Sequence, residues 1–147
     1  MRLGFRIKHH FFSAFREFFV HHHGSLEFRA KIFALVIAVN KKASVENFII
    51  VKDIGMHIYD GDEDRSNLLM LSTKEMVQKV RDDNGLDIDS LVSSIQKELK
   101  IIPRYAKKID IKALTPILRL TYDEDTYSYQ ENILEFLEQL KTETLNK

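Results

Sequence analysis

Between Asp87 and Pro103 the apolar residues Ile88, Leu91, Val92, Ile95, Leu99 and Ile102 recur at intervals of one, three and four. Only an α-helix gathers residues at that spacing onto one face. Pro103 closes the pattern, because its ring cannot continue the hydrogen-bonded ladder. The same period recurs elsewhere, and no segment sustains the alternation of a strand. Phe11, Phe12, Phe15, Phe18 and Phe19 share one helical face. Phe28, Ile32, Leu35, Val36 and Val39 form a second stripe. Gly24 separates the two, and Ser25 is placed to cap the second helix. Residues 45–59, which follow the N-cap candidate Ser44, are apolar nearly all round and read as a central buried helix. The chain has only two prolines and five glycines, so long helices are expected.

The stretch "YDGDEDRSN" (residues 59–67) reads as a turn. Ser72 and Glu75 have the spacing of a capping box for a helix reaching about residue 83, where "DNG" ends it. A further helix is expected from Pro103 to about residue 122, kinked near Pro116. The last covers residues 129–141, capped by Ser128 and Glu131. The expectation is an all-α bundle of six to eight helices with short connections. It divides into a basic, phenylalanine-rich N-terminal helix (residues 1–24) and a helical domain (residues 25–147).

At 147 residues with 44% hydrophobic content, the chain can bury one core. It has no cysteine, which excludes disulfides, thiolate zinc sites and cysteine catalysis and fits a cytoplasmic protein. Lys plus Arg and Asp plus Glu balance at 22 each, but unevenly: residues 1–31 carry six basic and two acidic side chains and five of the six histidines. A basic head suits an anionic or protein partner. The neutral total argues against a broad nucleic-acid footprint. The longest uncharged apolar run, residues 32–39, is too short to cross a bilayer, and no signal-peptide cleavage site follows the N-terminal phenylalanines. Those five phenylalanines are the expected docking face, packed on the domain or on a partner protein. The alternative is peripheral contact with the inner membrane.

No Gly-rich phosphate loop, nucleophile motif or zinc-protease pattern is present, and no enzymatic activity is expected. Asp60, Asp62 and Asp64 copy the first three ligand positions of an EF-hand, but Arg65 and Leu71 stand where the loop needs Gly and Glu. His9, His10, His21, His22 and His23 can attract zinc or nickel adventitiously. His57 reads as a satisfied core histidine. The acidic stretch at Asp123, Glu124 and Asp125, followed by Ser128 and Glu131, is accounted for by helix capping. The alternative is a weak Ca²⁺ or Mg²⁺ site built from Asp123, Glu124, Asp125 and Glu131.

Two segments look like copies of one unit: "FRAKIFALVIAVNKKASVENFII" (residues 28–50) and "LTPILRLTYDEDTYSYQENILEFL" (residues 114–137). Each has an apolar helix, a polar break, a Ser and a second helix. Asn47 of the first corresponds to Glu131 of the second. This resembles the TerB-like family, named for tellurite resistance and also found beside J-domains in membrane-anchored co-chaperones, over residues 26–141. The family loop reads roughly D-G-x-(I/V)-S-x-x-E, twice per domain. The resemblance places Glu124, Asp125 and Glu131 at the Asp, Gly and Glu of the second loop, and Asn40, Lys41 and Asn47 at those of the first. It implies a non-enzymatic protein-interaction module of an envelope or stress-response assembly, with a metal-binding or metal-sensing protein as the alternative.

Overall fold

The computed structural model describes residues 24–147, an all-α helical bundle. The phenylalanine face at Phe11, Phe12, Phe15, Phe18 and Phe19 lies outside the described residues, as do the five N-terminal histidines; Gly24 and Ser25, expected to separate and cap two helices, both lie within the first described helix. Six α-helices and one 3-10 helix follow in order: α1 Gly24–Ala38, α2 Val45–Ile58, α3 Glu63–Arg81, α4 Ile88–Ile101, the 3-10 helix Pro103–Lys108, α5 Ile111–Leu118 and α6 Glu124–Leu145. No strand occurs among the described residues. None of their helices is long and apolar enough to cross a membrane.

The central helix is α1, not the helix that follows Ser44. From Leu26 to Ala38 nearly every side chain of α1 is buried, and it packs against α3, α4, the 3-10 helix, α5 and α6. Lys31 is the one charged residue between Ala30 and Val39, and it pairs with Glu98 of α4 at 3.0 Å. A helix without a polar face can only sit in the middle of a bundle. In α2 only Asn47, Phe48, Val51 and Gly55 are buried, while Val45 and Ile49 face solvent. His57 is exposed rather than in the core. Gly55 sets the α2–α3 spacing: a Cβ there would come within 3.2 Å of the Ser66 backbone.

Three helix boundaries differ from expectation, two of them for a common reason. An earlier acceptor side chain takes the cap, and the later Ser-x-x-Glu pair is left inside the helix. Asp62 caps α3 by accepting from Arg65 N at 3.1 Å, so most of the expected turn is helical. Ser72 and Glu75 fall in mid-helix, with Ser72 fully buried. Asp123 caps α6 in the same way. The expected helix from residue 103 onward is broken: Pro103 opens a 3-10 turn, and Asp110 restarts the chain as α5 by accepting from Ala113 N at 3.3 Å. Helix α4 begins and ends where the periodicity and Pro103 place it. The turn after α3 uses left-handed residues at Asp83 (φ 53°) and Gly85 (φ 79°).

Candidate functional site: two helix corners joined by buried amides

The α1–α2 and α5–α6 connections meet at one end of the bundle. Asn40, just past α1, donates from Nδ2 to Thr121 Oγ1 at 3.3 Å. Thr121 donates in turn to Gln130 Oε1 at 2.7 Å. Gln130 Nε2 closes the path by donating to Val36 O of α1 at 3.0 Å. Asn40 Oδ1 accepts from Lys42 N at 3.0 Å, which folds the first corner tightly. Arg81, at the end of α3, donates from Nη2 to Ala43 O at 2.7 Å and ties the same corner to a third helix. Gln130 is wholly buried, and Asn40 and Asn47 nearly so. Asn47 Nδ2 makes a long contact to Ser44 O at 3.4 Å, and its Oδ1 is buried without a partner.

Amide and hydroxyl groups alone make this path, and none of them ionises near neutral pH. It joins two corners far apart in sequence without burying a charge, and the desolvation cost of a buried ion pair is avoided. Its members cannot serve as a general acid or base. Their contribution is to hold the ends of α2 and α6 in a fixed relation.

The interior position of the second corner is Gln130. Glu131, which the sequence comparison paired with Asn47, faces solvent. Asn40 and Asn47 are seven residues apart, as are Asp123 and Gln130. Nothing local in the sequence marks Gln130, because its backbone partner lies 94 residues away.

The acidic stretch is helical from Glu124 onward, not a loop over residues 123–127. Ser128 lies inside α6 and is not its cap. Asp123 Oδ2 accepts from Thr126 N at 3.0 Å and from Thr126 Oγ1 at 2.6 Å. Glu124 and Asp125 occupy the first turn, where the helix dipole favours negative charge. All three, with Glu131, are exposed. No group of three or more histidine or acidic side chains among the described residues is placed to hold a metal ion.

The hydrogen bonds from Thr126 hold the Asp123 carboxyl below its ordinary value of 3.8. A depressed carboxylate stabilises the fold above the unfolded value, and that stability is lost as pH falls through the lower, folded value. Asp123→Ala should therefore lower the melting temperature at neutral pH, and the gap from wild type should close in acid well below 3.8. Thermal melts of both proteins across that range check this. A gap that is unchanged in acid would remove Asp123 as the cap.

Several large side chains stay in solvent near these corners. Tyr122, next to Thr121, is 92% exposed. Val45 and Ile49, one turn apart on α2, are 62% and 50% exposed, and Tyr127 and Tyr129 of α6 are also exposed. Lys41 and Lys42 stand beside them in the first corner. No family model matches the chain, and no curated protein or solved structure does either.

Proposed function

We propose that this chain is a non-enzymatic, TerB-like protein-interaction module, acting in an envelope or stress-response assembly. Its binding end is formed by the two joined corners. One observation carries the reading: a neutral, buried amide path fixes the two corners, while Val45, Ile49 and Tyr122 remain exposed next to it. Exposed aromatic and aliphatic groups on a rigid support are what a protein interface needs, because little ordering entropy opposes binding. The N-terminal phenylalanines at residues 11–19 are a second protein-docking element in the same proposal.

Affinity purification from the native host tests this reading. The wild-type chain and an Ile49→Ser/Tyr122→Ser variant would be compared by quantitative mass spectrometry. Both changes lie on exposed side chains, so the fold should persist, which circular dichroism checks. A protein enriched by the wild type and lost by the variant is the expected result. Identical co-purifying sets would overturn the assignment of this end as the interface.

A further inference from the structure

A second site lies away from the joined corners, where α1, the end of α2, the 3-10 helix and α5 meet. There a cleft of about 80 Å³ is lined by Arg29, Lys107, Lys108 and Asp110 above an apolar floor that includes Ile32, Phe33 and Leu114. Three cations thus face one carboxylate. That carboxylate is already engaged, since Asp110 caps α5 through Ala113 N. Among the described residues Arg29, Lys107 and Lys108 form no ion pair. Among the described residues two positive charges are thus left without a counter-charge, next to a low-dielectric wall that strengthens their field.

Arg29 is held in place from the other side. Its guanidinium lies 5.6 Å from the centre of the Tyr59 ring, and Arg65 lies 5.8 Å from the same ring. Arg65 is paired with Asp62 at 3.6 Å, whereas Arg29 has no carboxylate partner among the described residues. The Tyr59 hydroxyl is buried beside the Arg29 guanidinium. Burial raises its pKa, against the opposing pull of Arg29 and Arg65, so Tyr59 stays a neutral phenol and supplies no counter-charge. The positive end of α5 opens toward the same cleft at Ala113.

We propose that this cleft binds one phosphate-class dianion, as free phosphate or as the monoester group of a small metabolite. The charge left over matches a dianion better than a carboxylate. A guanidinium fork with two flexible ammonium groups offers donors to several oxygens of one tetrahedral group. The volume holds a single such group and is far below the roughly 300 Å³ at which sites for drug-sized ligands begin. The inference is independent of the protein-binding end proposed above.

The test is an NMR titration of the full chain with sodium phosphate, glycerol 3-phosphate and sodium acetate, each against sodium chloride at matched ionic strength. Phosphate and glycerol 3-phosphate should give saturable shifts at Arg29 Nε–H and at the amides of Lys107, Lys108 and Ala113. Response to both probes marks the monoester group as the ligand, and response to phosphate alone marks the free ion. Acetate should bind at least about tenfold more weakly, since it carries one charge fewer. Lys107→Gln/Lys108→Gln should weaken phosphate binding by about tenfold or more. Amide shifts elsewhere should stay in place in that variant, which shows that it remains folded. Arg29→Lys keeps the charge but loses the fork, and should bind more weakly than wild type. No saturable shift above the chloride control, equal binding of acetate, or unchanged affinity in the double lysine variant would each overturn the proposal.

Discussion

Replacing Phe28 by alanine is expected to cost about 3–5 kcal/mol of stability. Phe28 is fully buried on α1, the helix against which five other elements pack. Its ring lies 5.3 Å from that of Tyr105 in the 3-10 helix, tilted by 43°. Truncation removes the transfer energy of the ring and opens a cavity that the rest of α1, packed by five other elements, cannot collapse to fill. It also removes an aromatic pair worth about 0.5–1.5 kcal/mol beyond area burial. Chemical denaturation of wild type and Phe28→Ala measures the loss. A change of less than about 1 kcal/mol would mean that α1 is not the centre of the core.

The second large effect is expected from Gln130→Glu, which changes one atom in the buried path and puts a carboxylate where an amide stood. The amide donates to Val36 O and accepts from Thr121. An ionised carboxylate can only accept, so it leaves Val36 O facing another acceptor and buries a charge with no counter-ion. A loss of more than about 3 kcal/mol at neutral pH is expected. The sign of its pH dependence is fixed. Burial raises the pKa of the new carboxyl in the folded state above the roughly 4.3 of the unfolded chain. The folded protein then holds the proton more tightly, so the penalty grows as pH rises above the unfolded value and shrinks as pH falls toward it. Once protonated, the acid can again donate to Val36 O. Denaturation midpoints of wild type and variant, compared in mild acid and at neutral pH, should converge in acid. A deficit independent of pH would show that packing, not the donor at position 130, holds the corners together.

These two residues also mark what the sequence made legible. The apolar period of residues 88–102 and the stop at Pro103 produced α4 at its observed limits, because burial of one face and a missing N–H act locally. Phe28 was recognisable as a core residue for the same reason. The burial of α1 on all sides was signalled by the charge-poor run after Lys31, but the longer apolar stretch after Ser44 competed for the central place. The charged residues and histidine of that stretch, Glu46, Lys52, Asp53 and His57, turn out to fall on the solvent side of α2, while Asn47 is buried.

Caps were harder to place. Ser72/Glu75 and Ser128/Glu131 have the spacing of capping boxes, yet spacing cannot tell a cap from an interior pair when Asp62 or Asp123 stands upstream and takes the role first. The buried amides were out of reach altogether. Asn40 and Thr121 are separated by 81 residues and Gln130 and Val36 by 94, and a buried glutamine reads like any surface residue until its partner is known. The acidic stretch drew attention to the right corner of the fold but to the wrong side chains. Glu124, Asp125 and Glu131 face water, while the neighbouring Gln130 points inward.

The central claim is that the end of the bundle carrying Tyr122 is where another protein binds. The most direct measurement is site-specific photocrosslinking in the native host, with a photoreactive amino acid at position 122 and, as a matched control, at position 101. Ile101 is also an exposed apolar residue, 77% accessible, but it lies three residues beyond Glu98, which pairs with mid-α1 Lys31, and not at the joined corners, so it controls for adhesion of any greasy surface. The account predicts a discrete protein adduct from position 122 that position 101 does not give. No adduct at 122, or the same adducts at both positions, would contradict it.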